Sequence, residues 1–239
     1  MIDTHAHLSG RFGNELLDYK IDKIILAASS LEDSKDNLEL IKKNDKFLAA
    51  VGIHPQNIDD DVRELEKIVK NNLDKIVAIG ECGLEFLDGV NREKQIKLFV
   101  GQIELAVKYD KPLIIHSRKA NDEILEILGK YNTRGVIHCY TGGKKRIKKF
   151  MELGEDWFFG IDGNITYEIG LEEVVREIPK DRLVLETDSP FLTPVPHRGE
   201  DNNPENIKYV YDKIADIWKL GFEETEKVID NNAYRLFKI

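Results

Sequence analysis

The sequence predicts an α/β fold, a single (β/α)8 TIM barrel, and three observations carry that expectation. Eight short apolar runs rich in β-branched residues alternate with longer charged, amphipathic stretches along the 239 residues, the pattern of repeated βα units around a parallel sheet. The turn after the first run reads HAHLSG, with neither the GxGxxG turn nor the P-loop that open doubly wound sheets with nucleotide cofactors usually carry. Histidines and carboxylates fall at the ends of the apolar runs, where a closed barrel places its active site.

Taken in order, strands are expected at Met1–His7, Lys23–Ala28, Phe47–Val51, Ile76–Gly80, Pro112–His116, Gly135–His138, Trp157–Ile161 and Leu183–Glu186. Helices are expected between them at Leu31–Asn44, Val62–Asn71, Arg92–Tyr109, Asn121–Tyr131, Lys144–Leu153 and Leu171–Glu177, with Glu205–Trp218 and Glu223–Phe237 after the last strand. In Arg92–Tyr109 the apolar positions Ile96, Phe99, Val100, Ile103, Ala106 and Val107 recur at three and four residues, the stripe of a helix buried along one side. No linker, composition shift or internal repeat asks for a boundary, so residues 1–239 are expected to form one metal-dependent hydrolase barrel domain, a length that suits the fold.

Composition narrows the partners. No apolar run approaches the roughly 18 residues of a membrane span, and MIDTHAHL lacks a basic segment followed by an apolar one, so a cytoplasmic protein without a membrane partner is expected. Nothing in the chain points to an obligate protein partner. Two cysteines, Cys82 and Cys139, make no disulfide framework. The formal charge of −9 opposes the sequence-independent attraction that drives nucleic-acid binding. An extended duplex groove is therefore not expected, and small or single-stranded substrates are favoured. The basic run KKRIKK, Lys144–Lys149, lies just after His138 and reads either as a solvated helix face or as a local basic patch beside a site there, the former favoured.

The candidate site follows from strand parity. Alternate residues of a strand share a face, so His5 and His7 point the same way and can grip one ion together. Glu81 follows the apolar run KIVAIG, where a carboxylate is costly to bury unless paired or bound to a cation. His116 closes PLIIH, His138 closes GVIH, His54 follows the third strand and Asp188 ends the eighth. Five of the six histidines fall in this set, and their alignment with two carboxylates favours ligands over isolated core histidines. Imidazole and carboxylate together suit zinc, and also manganese or iron, whereas magnesium prefers more oxygen ligands. Asp188 can be a ligand, the base that takes a proton from water acidified by a cation, or both. Parity sets Cys82 opposite Glu81 and Cys139 opposite His138, so both thiols are expected in the helical layer, not among the ligands.

These residues sit in motifs that resemble the TatD family of metal-dependent hydrolases, in the amidohydrolase superfamily: DTHAHL near the start, VGIHP at 51–55, GECGLEF at 80–86, PLIIHSR at 112–118, HCYTGG at 138–143, GNITY at 163–167, LETDSPFLTPVPHRG at 185–199 and NAYRLF at 232–237. The resemblance covers nearly the whole chain. It implies a distorted barrel and a metal centre of His5, His7, Glu81, His116, His138 and Asp188, with two divalent ions bridged by Glu81. Zinc is the first expectation, magnesium and manganese the alternatives. It also implies substrate phosphate contacts from His54 and Arg118, catalytic roles for Asp188 and Glu81, and a 3'–5' exonuclease acting on single-stranded DNA or DNA ends. Two positions depart from the family pattern. Glu85 stands where Asp is common, and EDNNPEN (residues 200–206) stands where a basic stretch is common.

Three readings follow from the residues and the resemblance together. The first is metal-assisted phosphodiester hydrolysis, a deoxyribonuclease. The second keeps the centre but attacks a carboxylic ester or amide, as in D-aminoacyl-tRNA or another small ester. The third, a non-catalytic metal-stabilised scaffold, fits poorly, because structural zinc sites are normally closed by four ligands, often cysteines.

Overall fold

The computed structural model describes residues 1–8 and 20–239, so the last two residues of the HAHLSG turn lie outside the described residues. Among the described residues eight strands form one parallel sheet in chain order: β1 (Ile2–Ala6), β2 (Lys23–Leu26), β3 (Phe47–Val51), β4 (Ile76–Glu85), β5 (Leu113–Arg118), β6 (Gly135–Ile137), β7 (Trp157–Ile161) and β8 (Leu183–Leu185). Around it lie α1 (Leu31–Leu40), α2 (Val62–Asn71), α3 (Arg92–Lys108), α4 (Asn121–Leu128), α5 (Lys144–Met151), α6 (Leu171–Glu177), α7 (Ile207–Trp218) and α8 (Phe222–Phe237). This is the expected (β/α)8 barrel.

The sheet buries both faces, which is why its strands read as continuous apolar runs rather than alternating ones. One inward residue from each strand, Ile2, Ile25, Ala50, Ala78, Ile114, Val136, Phe158 and Val184, fills the barrel, with Ala233, Leu236 and Phe237 of α8 packed on them. Large Phe158 and small Ala50 and Ala78 share this layer, as dense packing demands. Asn232 of α8 donates to the carbonyls of Lys180 and Leu183, so α8 is pinned across the N-terminal floor of the barrel. Outward residues such as Leu26, Val51, Ile79, Ile115 and Phe159 join the helices in a second apolar layer.

Closure between β8 and β1 is irregular. In place of a full ladder there is a single bridge, Ala6 to Ser189, and a short polar zipper. Asp188 N donates to His5 O at 2.9 Å and His7 N to Ser189 O at 2.7 Å. The buried Asp3 carboxylate accepts from Thr187 N at 2.9 Å and Thr187 Oγ1 at 2.6 Å. These bonds fix the segment carrying Asp188 against the strand carrying His5 and His7.

Two elements differ instructively from the sequence expectation. β4 runs on to Glu85 and β5 to Arg118, beyond the predicted ends, because their register continues through Cys82↔Ile115, Gly83↔His116 and Glu85↔Arg118. Polar residues suggested a loop; here they face a cavity while the ladder continues behind them. In α3 the buried face holds Gln95, Leu98, Gln102 and Leu105 as well as Phe99, Ile103 and Ala106, and Val107 of the predicted stripe is exposed. The buried glutamines bind backbone: Gln102 accepts from Ile53 N and donates to Ile53 O, while Gln95 donates to Pro55 O and accepts from Glu85 N. Helices α1, α4 and α5 end at Leu40, Leu128 and Met151, two to four residues short of the predicted ends, which form turns. The KKRIKK run is a solvated face in which Lys144 pairs with Glu173 and Arg146 with Asp122.

If α8 closes the floor as described, Phe237→Ala should cost about 3–5 kcal/mol in a urea unfolding curve, the usual penalty for emptying a buried aromatic site. Val107→Ala on the exposed side of α3 should stay within about 0.5 kcal/mol. Equal, small effects would remove α8 from the barrel core.

Candidate metal centre

The structure gathers all the predicted donors at the C-terminal end of the barrel. His5 lies in β1 and His7 one residue beyond it, Glu81 in β4, His116 in β5, His138 just after β6 and Asp188 three residues after β8. All but the fully buried His5 line a cavity of about 350 Å³ whose edge also holds His54, Arg118 and Phe191. The volume is at the small end of the roughly 300–1,000 Å³ range of ligand pockets.

The donors sort into two sets, one about each oxygen of Glu81. His5 Nε2 and His7 Nε2 lie 3.5 and 3.4 Å from Glu81 Oε2, each 3.5 Å from Asp188 Oδ1, and 3.0 Å from each other. Four tetrahedral ligands held at roughly 2.0–2.2 Å from a zinc-like ion stand about 3.3–3.6 Å apart, so these spacings are close to those of a ligand shell. Glu81 Oε1 lies 2.9 Å from His116 Nδ1, 3.3 Å from His138 Nε2 and 3.7 Å from His54 Nε2. Within each of the triads His5–His7–Glu81, His5–His138–Asp188 and Glu81–His116–His138, ligand atoms lie within 4.8 Å of one another. The donors therefore fit divalent cations.

Electrostatics point the same way. Burial alone would raise Glu81, but the charge of His138 and hydrogen bonds from His116, His5 and His7 outweigh it and hold its carboxyl well below the usual range. Burial would likewise raise Asp188, yet the His7 hydrogen bond and the charges of His138 and His5 lower it. Burial works to lower His7 and His138, but the carboxylates around them raise both to about 10. Protons on these imidazoles balance the buried negative charge that a cation would otherwise balance.

Several residues that the sequence did not mark hold the donors in place. Glu186, fully buried, sets Oε1 3.2 Å from His138 Nδ1 and accepts from Cys139 N at 2.5 Å. Its carboxylate orients the ring so that Nε2 faces Glu81, the usual carboxylate–histidine support of a metal ligand. Gly160 makes room for it, since a Cβ there would fall 2.5 Å from Glu186 Oε2. Gly83, at φ +137°, lets β4 pass His116, because a Cβ would lie 2.0 Å from the His116 carbonyl oxygen. On the far side, the departing EDNNPEN segment supplies Asn202, which donates to Thr187 O at 2.9 Å and Phe191 O at 2.7 Å and so clamps the loop carrying Asp188. The only sequence signal for Glu186 was its place at a predicted strand end. That signal is ambiguous because Asp188, two residues on, shares its parity.

His54 lies beside the donors, its Nε2 3.7 Å from Glu81 Oε1 and its Nδ1 accepting from Gln56 N at 3.2 Å. Arg118 reaches the cavity edge with an exposed guanidinium, its Nη1 2.9 Å from the buried Glu85, which also accepts from Gln56 Nε2 at 2.6 Å. Glu85 is thus an anchor for Arg118. Cys82 packs in the helical layer as expected, but Cys139 does not. Its backbone turns to φ +48° after β6, parity ends there, and Asn164 Nδ2 lies 3.7 Å from Sγ. Asp188 also has a positive φ, +54°, a conformation that costs a non-glycine residue about 1–3 kcal/mol and that clusters at functional sites.

With this geometry in hand, comparison with known proteins is specific. A family model described as TatD related DNase matches residues 2–238. The metal-dependent hydrolase YabD of Bacillus subtilis is 34% identical over all of this chain and 99% of its own length, and YcfH of Escherichia coli is 31% identical over all of this chain and 96% of its own. The crystal structure of YjjV, a TatD homolog from E. coli, superposes with a TM-score of 0.92 at 30% identity, covering 100% of this chain and 98% of that one.

Two measurements test the centre without activity. Because His7 and His138 carry protons when no cation is bound and must lose them to coordinate, adding Zn²⁺ to metal-free protein at pH 8 should release protons, read by an indicator dye in weak buffer. Stoichiometric zinc uptake without release would contradict the arrangement. Glu186→Gln should weaken zinc affinity about 10–100-fold in competition with a chelator; an unchanged affinity would leave Glu186 a packing residue.

Proposed function

The chain belongs to the TatD-related DNase family and is a metal-dependent hydrolase of that type; from this premise we propose that it cleaves phosphodiester bonds at DNA ends, acting on single strands as a 3'–5' exonuclease with two divalent cations, zinc first among them. The observation that carries the reading is the division of the donors between the two Glu81 oxygens, beside a cavity edge that holds a guanidinium. Such ions supply positive charge to a phosphoryl oxygen and lower the pKa of water.

The chain's own residues take the remaining roles. Asp188 is ionised at neutral pH, since its neighbours lower its pKa, and accepts the proton of the attacking water. Glu81 holds the two donor sets at a fixed separation. Burial lowers His54 to about 4, so its ring is neutral at pH 7, and because Nδ1 accepts from Gln56 N, the proton sits on Nε2. That Nε2–H donates into the cavity toward a phosphate oxygen. Arg118 offers the planar fork that matches phosphate oxygens, and Glu85 sets its reach from below. The charge of −9 favours a substrate that needs few phosphate contacts, as a strand end does.

Asp188→Asn should lower kcat on a 3'-labelled single-stranded oligonucleotide by about 10²–10⁴-fold, the range for removing a general base, or further if a ligand is lost as well, with an unchanged circular dichroism spectrum. The zinc-loaded wild-type protein should also prefer that oligonucleotide to a D-aminoacyl-tRNA assayed in parallel. Faster hydrolysis of the aminoacyl ester would move the assignment to carboxylic esters.

A further inference from the structure

Phe191 sets a partly exposed aromatic ring at the edge of the donor cavity. It is 52% exposed, lines the same cavity as the donors, and its ring centroid lies 6.3 Å from that of His7 at an interplanar angle of 66°. Its backbone is held on both sides: Phe191 N donates to Asp188 O at 2.8 Å, and the buried Asn202 donates to Phe191 O at 2.7 Å. Three of the six large apolar side chains exposed among the described residues, Phe191, Val195 and Ile169, lie on the loops after β7 and β8. Those loops are joined by a bond from Val195 N to Thr166 Oγ1. The opposite side of the cavity is polar and charged, with His54, Gln56, Glu85 and Arg118.

A wall of polar and cationic groups facing one fixed aromatic ring, with acid and imidazole between, matches a nucleotide, whose anionic phosphate and flat base are separated by a sugar. A simple acyl ester has no group that needs the ring. We infer that Phe191 is the platform on which the nucleobase beside the scissile phosphate stacks. This rests on the phosphodiesterase reading and adds that the substrate must carry a base at its end, of any identity, because every base presents a π-face to an aromatic ring. The clamp from Asn202 belongs to the same device: it holds the ring at a fixed position relative to Asp188, so stacking sets the phosphate over the donors. An ordered ring loses little conformational entropy on binding.

The test uses the full-length, zinc-loaded protein and two single-stranded oligonucleotides, one with a 3'-terminal 2-aminopurine and one abasic at its 3' end. In an Asp188→Asn background the 2-aminopurine fluorescence should be quenched on binding. Adding Phe191→Ala should abolish the quench, and Phe191→Tyr should keep it. In the otherwise wild-type enzyme, Phe191→Ala should raise KM for a base-bearing end about tenfold or more, in line with measured losses of base–aromatic stacking, and leave the abasic-ended strand unchanged. Absence of a quench, a quench that survives Phe191→Ala, or an equal loss on both strands would overturn the inference. A wild-type protein that binds and quenches the base but hydrolyses neither strand would instead remove the phosphodiesterase reading and leave the stacking site standing.

Discussion

The carboxylate of Glu81 is the point on which the rest of the site depends. It is buried on an interior strand, and it is surrounded by imidazole nitrogens at 2.9 to 3.7 Å. A buried charge of that kind is tolerable only with close positive partners. Histidines from the ends of β1, β3, β5 and β6 converge on it, His5 and His7 about Oε2 and His116, His138 and His54 about Oε1. The arrangement answers a question of charge before it answers one of catalysis: protons on imidazoles, or cations between them, are what allow the carboxylate to stay ionised inside a protein.

Holding six donor groups to that geometry requires a second ring of buried polar residues, and the chain recruits them from unexpected places. Asp3 and Thr187 join the first and last strands. Glu186 orients His138, and Gly160 leaves the volume it needs. Gln95 and Gln102 reach from α3 to the backbone around His54, and Asn202 clamps the loop that carries Asp188 and Phe191. Each satisfies backbone groups that would otherwise be buried without partners, and each removes freedom from a ligand or a substrate-facing side chain. The EDNNPEN segment is informative here, because where the family commonly places positive charge, this chain places asparagines that bind backbone instead.

Much of this was legible before any coordinates. The eight apolar runs mark the strands because both faces of a parallel barrel are buried, and the polar residues closing several of them, His7, His116 and His138 among them, mark the rim. His5 and His7 could be paired by strand parity alone. Parity failed at Cys139 and could not separate Glu186 from Asp188, because the backbone leaves strand geometry at φ +48° and +54° there and alternation no longer reports direction. The α3 stripe was misread for a related reason: a polarity pattern treats glutamine as solvent-facing, whereas Gln95 and Gln102 are buried to serve the backbone of neighbouring segments.

What the sequence determined by itself was the fold class, the candidate donors and the edge of the barrel at which they lie, since all three follow from local periodicity and residue chemistry. What only the tertiary structure decided was how those donors divide between the two Glu81 oxygens, that Glu85 anchors Arg118, that Glu186 and Asn202 belong to the site, and that Phe191 stands beside it. These are relations between residues on different strands and loops, set by register, by the irregular β8–β1 closure and by the need to pair every buried polar atom. No spacing along one chain segment encodes them.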